Sequence, residues 1–328
     1  MASIAFPRLV RRHALSTSHV YTYAFQPPTI TSLPTILFLH GFPSSCYDWR
    51  HQIQFFSRLG YGVLAPDLLG YGGTAKPTEL DPYKTKNMAA EITELLDHES
   101  ISKVHAVAHD TGCILLSRLA NYFPNRLLSC TFLDVPYSKP GEHFDLAMVN
   151  SLTRQFLGFE RFGYIGFFVR PDAGDIIDQH ADSFFTLFYP QNHSLWIDHV
   201  GPTGAMEAWL LQDRMGPAAT YITETERQIH QDIMRNDYGP ALKWYHALVG
   251  NINEQDEIQE NLDPNLSMPV LIVCPQLTKL ELPGVEKQMK QVASDVTFRR
   301  VNTSGHWVQL EARDEVNALL KEFFEREG

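Results

Sequence analysis

The 328-residue chain has only four cysteines, and no two of them form a CxxC pair. Cys46, Cys113, Cys130 and Cys274 are scattered, three of them in or beside apolar segments. That pattern reads as buried free thiols in a reducing, cytoplasmic setting, and it excludes a disulfide framework. No run approaches the roughly 18 apolar residues of a membrane span, and no apolar segment of signal-peptide length follows Arg8, Arg11 and Arg12. Basic clusters are missing too. The 27 basic and 38 acidic residues give a formal charge of −11, so nucleic acid is not an expected partner. There is no internal repeat and no low-complexity tract. No His/Asp/Glu cluster has ligand spacing, so neither metal nor cofactor is expected. The N-x-S/T sequons at Asn192, Asn265 and Asn302 read as chance matches. Monomer and homodimer both stay open.

What is present is an ordinary globular composition, 44% hydrophobic and 20% charged. The length suits one large α/β domain or a core with an inserted subdomain. Short apolar runs at 35–41, 62–67, 103–110, 128–136, 269–275 and 296–302 read as strands, most of them buried and parallel. Residues 46–59, 84–98, 112–123 and 309–326 read as helices between and after them. This alternation predicts a doubly wound, mostly parallel sheet flanked by helices. Residues 137–247 break the rhythm: they are rich in Phe, Tyr and Trp and contain no convincing buried strand. They predict a helical cap inserted between core segments 1–136 and 248–328.

Ligands in such sheets bind beyond the carboxyl ends of the strands. Those ends carry His40-Gly41-Phe42-Pro43, Asp67, His109-Asp110-Thr111-Gly112 and Asp134, and the loop after the last strand adds Gly305-His306-Trp307. "AHDTG" has the spacing of a nucleophile elbow with Asp110 in the serine position. A helix N-terminus favours an anion there, so Asp110 is either a nucleophile or a helix cap. The other strand ends favour the nucleophile. His306 can accept a proton from water and so hydrolyse an ester at Asp110. The acid orienting His306 is harder to find, because the usual loop, after "PVLIV", offers Thr278 where an acid is expected. Asp134 is the candidate and Glu281 its weaker rival. The backbone N–H groups of Phe42 and Thr111 would form an oxyanion hole. His40 reads as a support of its loop. Phe42, Pro43, Thr111 and Trp307 are expected to touch substrate.

From about residue 30 to 326 the chain resembles the α/β-hydrolase superfamily, and within it the epoxide hydrolases. The resemblance rests on "HGFP", "PDLLGYGGT", "HDTG" and "SGHWVQLE" with the helix "DEVNALLKEFF". It implies that Asp110 opens an epoxide by backside attack and that His306 activates the water releasing a diol. It also implies two cap tyrosines bonding the ring oxygen, which map to Tyr164 and Tyr245. A phenol with a pKa of about 10 stays protonated at neutral pH and can serve as that acid. Two departures stand out. The family usually has Trp after the nucleophile where this chain has Thr111, and the acid is displaced to Asp134. The second resembles some dehalogenases, which makes dehalogenation the nearest alternative. Halide-clamping indole is missing beside Asp110, however, and so are the arginines that hold a carboxylate in fluoroacetate enzymes. A ring-forming cyclase and a non-catalytic small-molecule binder stay open. The aromatic residues Phe156, Phe162, Phe167, Phe168, Phe184, Phe185 and Trp196 suggest a small, apolar epoxide substrate.

Overall fold

The computed structural model describes residues 1–217, 219–276, 278 and 284–326. Eight strands join in one sheet: β1 (Val10–Ala14), β2 (Val20–Gln26), β3 (Thr35–Leu39), β4 (Gly62–Pro66), β5 (Val104–His109), β6 (Leu127–Leu133), β7 (Val270–Pro275) and β8 (Val296–Val301). Their order is β1-β2-β4-β3-β5-β6-β7-β8, parallel from β4 through β8 and antiparallel at β1/β2 and β2/β4. Every residue of β3, β4, β5 and β7 is buried, which is why these strands are unbroken apolar runs without alternation. Successive side chains still point to opposite faces. Ala106 and Ala108 of β5 pack in one apolar cluster, and Val107 in the other, beneath the helix Arg313–Arg326.

Strands β1 and β2 precede everything the apolar-run pattern reveals. β1 reads VRRHA and lies on the sheet edge, with Arg11 paired to Glu99 at 2.5 Å and stacked 4.5 Å over the Phe25 ring. An exposed edge strand needs no apolar run, so its sequence carries no buried-strand signal. The closing helix also differs from expectation, dividing into Val308–Glu311 and Arg313–Arg326. No helix among the described residues is long and apolar enough to cross a membrane.

Chain order makes β4 the neighbour of β3 on one side and β5 its neighbour on the other. That reversal opens a crevice at the carboxyl ends of β3 and β5, where such sheets take ligands. Over it lies the segment between β6 and β7, which forms ten short helices among the described residues, from Leu146–Leu157 to Glu254–Gln259. One buried clasp holds both ends of this insertion to the helix Thr111–Tyr122. Arg118 donates to the carbonyls of Ser138 (2.7 Å) and Lys139 (3.0 Å) on the outgoing chain and pairs with Glu257 at 2.5 Å on the returning chain. Glu257 also accepts the Gly141 N–H at 2.6 Å. Removing one member of a buried ion pair strands the other charge. Arg118→Met is therefore expected to cost about 3–5 kcal/mol in denaturant unfolding, and Arg118→Met with Glu257→Leu should recover most of it. A single-variant loss below about 1 kcal/mol would remove the clasp from this account.

Candidate active site

Asp110 sits at the turn from β5 into the helix Thr111–Tyr122 with φ 51° and ψ −127°, a left-handed conformation that costs a non-glycine residue energy. Its side chain makes no cap bond to its own helix. Instead Oδ1 accepts the Phe42 N–H at 2.9 Å, across the crevice from the turn after β3. The approach is close enough to exclude side chains at two glycines. A Cβ on Gly112 would lie 2.5 Å from the carbonyl oxygens of Leu39 and His40, and one on Gly41 would lie 2.4 Å from the Asp110 Cβ. His40 fixes the other side of that turn, since its Nε2 accepts the Leu68 N–H at 3.0 Å while Nδ1 donates to the Gly41 carbonyl at 2.9 Å. Burial pushes its pKa down to about 4, so it is a neutral linker.

His306 reaches the same crevice from the loop after β8. Its Nδ1 donates to Asp134 Oδ2 at 2.5 Å, and its Nε2 lies 3.6 Å from Asp110 Oδ2. Asp134 follows β6 with φ 64°, a turn that lifts its carboxylate out of the sheet. Burial acts to lower the His306 pKa, but the Asp134 hydrogen bond and the charges of Asp134 and Asp110 outweigh it and raise the value. Burial likewise works against the Asp134 carboxylate, and His306 more than offsets it, so that pKa is lowered. The usual acid position, Thr278, lies instead on the wall of a neighbouring cavity, and Glu281 falls outside the described residues.

Two residues that motif reading left without a role hold the His306 loop. His109 donates from Nε2 to the His306 carbonyl at 2.9 Å, and burial lowers its pKa to about 3. Glu311 accepts the Trp307 N–H at 3.0 Å and the Thr303 hydroxyl at 2.5 Å, and its carboxylate occupies the space a Cβ on Gly305 would need. Their sequence signal was membership of the two motifs, His109 as the first residue of "HDTG" and Glu311 as the last of "SGHWVQLE".

A cavity of about 270 Å³ covers Asp110 and His306, lined also by Phe42, Thr111, Tyr164 and Tyr245. Tyr164 comes from the helix Gly163–Phe168 and Tyr245 from Lys243–Val249, with ring centroids 6.2 Å apart. Neither hydroxyl makes a hydrogen bond among the described residues. Burial first, then the Asp110 charge, raises both phenol pKa values. The Tyr245 helix is pinned to the core by Trp244 Nε1–H donating to the Leu69 carbonyl at 2.8 Å. Two residues expected to touch substrate lie elsewhere. Pro43 does not line the cavity; its carbonyl accepts the Tyr189 hydroxyl at 2.6 Å. Trp307 is wholly buried, stacked on Tyr189 at 4.3 Å, because its indole N–H is spent on the Phe188 carbonyl at 2.7 Å. A second cavity of about 470 Å³ adjoins the first along Arg161, Phe162, Trp196 and His306.

A parallel sheet with an aspartate elbow and a histidine after its last strand defines an α/β hydrolase. The α/β-hydrolase fold model matches residues 34–313, and this chain belongs to that family. Among curated proteins it is similar to bifunctional epoxide hydrolase 2 of Rattus norvegicus, 24% identical over 299 residues. That match takes in 90% of this chain and 52% of the rat protein, so the chain spans about half the length of that relative. Epoxide hydrolase srdG of Neurospora crassa is 26% identical over 327 residues, with 95% of this chain and 93% of the relative covered. Epoxide hydrolase A of Mycobacterium tuberculosis is 26% identical, with 88% and 90% covered. Among solved structures, a Vigna radiata epoxide hydrolase mutant aligns with TM-score 0.77 at 22% identity, covering 97% of this chain and 98% of that one. Epoxide hydrolase A of Mycobacterium thermoresistibile gives 0.77 at 23%, covering 96% and 98%. At such identity these structures speak for the fold.

The pKa causes carry a direct test. Asp134 supplies the largest influence raising the His306 value, while burial, which lowers it, stays in its absence. In Asp134→Asn, NMR of the His306 ring is expected to show titration below that of the wild type and below the ordinary value of about 6.5. An unchanged midpoint would separate His306 from Asp134.

Proposed function

We propose that this protein is an epoxide hydrolase working through a covalent ester at Asp110. Oδ2 attacks one epoxide carbon from behind, forming a C–O bond as the ring C–O bond breaks. The phenols of Tyr164 and Tyr245 bond the departing oxygen, and one of them gives up its proton to it. Their raised pKa values keep them protonated until that negative charge develops. His306 Nε2 then takes a proton from water as the water attacks the Asp110 carbonyl carbon. The Phe42 and Thr111 N–H groups stabilise the oxyanion on Oδ1. Collapse breaks the Cγ–Oδ2 bond, the departing oxygen takes the remaining proton of the water, and the diol leaves with that oxygen from Asp110. The proton on His306 returns to the phenolate, and Asp134 holds His306 in the tautomer with Nε2 free. The segment 137–247 acts as the cap that brings the tyrosines, over a core of 1–136 and 248–328. Four buried free thiols are in keeping with a reducing, cytoplasmic location, and the substrate is a small molecule.

One observation carries this reading: Asp110 Oδ2 faces His306 Nε2 at 3.6 Å in a cavity where two phenols make no hydrogen bond among the described residues. The family resemblance and the names of the relatives support it. An indole clamp for a halide is not formed, because the indole N–H groups of Trp196, Trp209, Trp244 and Trp307 all go to backbone carbonyls. Trp49 lies in the apolar cluster on the other face of the sheet.

His306→Gln separates the two halves of the reaction. Incubated with styrene oxide, this variant is expected to gain the full mass of the epoxide on the peptide containing Asp110. A chloroalkane adduct lacking chlorine, with none from the epoxide, would make the protein a dehalogenase; no adduct from either would sink the reading. Tyr245→Phe should slow the alkylation by about tenfold or more, and an unchanged rate would remove that hydroxyl from the chemistry.

A further inference from the structure

Arg161 lines both cavities where they meet, and among the described residues it is the only Lys or Arg lining either. It stands three residues before Tyr164, at the entry of the helix Gly163–Phe168, and its own N–H bonds the Thr153 hydroxyl at 3.1 Å. Its guanidinium makes no hydrogen bond or ion pair among the described residues and lies 5.0 Å from the centroid of the Phe162 ring. A half-buried cation ordinarily has a counterion. Asp134 is already committed to His306, and Asp110 loses its charge when it becomes an ester. One anion remains, and it exists only during the reaction: the phenolate of the tyrosine that protonates the departing oxygen. The two phenols stand differently toward Arg161. Tyr164 shares its turn of chain and its cavity wall, whereas Tyr245 arrives from the distant helix Lys243–Val249. At Tyr164 burial and the Asp110 charge raise the pKa and the Arg161 charge acts against them. At Tyr245 burial, Asp110, Tyr164 and Tyr71 all raise it.

Resting on the epoxide reading above, we propose that Arg161 is a positioning residue for the acid. It makes Tyr164, and not Tyr245, the phenol that gives its proton to the ring oxygen, and it offsets the charge of the phenolate that results. As Asp110 Oδ2 bonds the epoxide carbon and the ring C–O bond breaks, the ring oxygen takes the Tyr164 proton. The negative charge thereby passes from Asp110, now a neutral ester, to the Tyr164 oxygen. Esterification removes one of the two chief influences that raise the Tyr164 pKa and leaves the Arg161 charge in place. Tyr245 keeps its proton throughout and donates a hydrogen bond. When water attacks the ester, the proton that His306 takes up returns to the Tyr164 phenolate.

A double-variant comparison on the alkylation step tests this. Each variant is made in His306→Gln, where the ester accumulates, and growth of the adduct at saturating styrene oxide is timed by intact mass. Arg161→Gln is expected to slow alkylation by about tenfold, the size of one charge interaction in a partly buried site. Beside Tyr164→Phe the same change should cost less than about twofold, because the two act as one unit, and beside Tyr245→Phe it should still cost about tenfold. Arg161→Lys keeps the charge and should keep most of the rate. Gln retains the backbone N–H that anchors this turn, and general damage to the fold would show as an equal loss beside either tyrosine variant. Such an equal loss, a loss that Lys does not restore, or no loss at all overturns the proposal. A loss that vanishes beside Tyr245→Phe instead gives the proton to Tyr245 and also overturns it. So does unchanged alkylation with slowed ester hydrolysis when His306 is intact, which would make Arg161 a counter-charge to the Asp134–His306 pair. An adduct in no variant, His306→Gln alone included, would fail the epoxide reading itself; an adduct that forms as fast in Arg161→Gln fails only the role of Arg161.

Discussion

The bond from the Phe42 N–H to Asp110 Oδ1 is the constraint on which the site depends. To make it, the chain must hold Asp110 at positive φ, so the strained turn and the bond are one structural fact. The bond also requires β3 and the helix after β5 to approach until Gly41 and Gly112 leave no room for a Cβ. It excludes the cap reading of an aspartate at this helix start. The carboxylate turns away from its own helix and across the crevice, leaving Oδ2 toward His306. The bond engages one oxygen and leaves the other facing His306.

Charge balance is the second theme. Asp110, Asp134 and His306 share a largely buried space in which an uncompensated charge is costly. The tight Asp134–His306 bond fixes one carboxylate and one imidazole as a pair, raising one pKa and lowering the other. The neighbouring His109 stays neutral and serves by its Nε2–H alone. Burial first, and then the Asp110 charge, raises the pKa of both phenols, so they stay protonated beside the carboxylate. Arg161 is the remaining charge at this junction, and it alone lacks a fixed partner among the described residues.

Much of the fold is legible in the sequence because the central strands are buried on both faces and must be continuously apolar. The order of strand ends follows from that, and with it Asp110, His306 and Asp134 arrive at one edge. The edge strand VRRHA is not legible, since it is stabilised by an ion pair and a cation–ring contact instead of an apolar run. Trp307 shows the limit at the site. Its place beside His306 suggests substrate contact, yet its ring belongs to the core stack with Tyr189. Arg161 was illegible for the opposite reason. It lies far from every motif in the chain, and only the folding of the inserted helices brings it to the cavity wall. Local spacing encodes what one turn presents; what two distant helices present together is decided by packing.

The central claim is that Asp110 becomes covalently attached and that its own oxygen leaves with the product. A single turnover with enzyme in excess over epoxide, run in water enriched in oxygen-18, tests this most directly. The expected result is a diol without label from the first turnover and one labelled oxygen in the Asp110 peptide. A labelled diol with an unlabelled Asp110 would mean that water attacks the epoxide directly, and it would contradict the account.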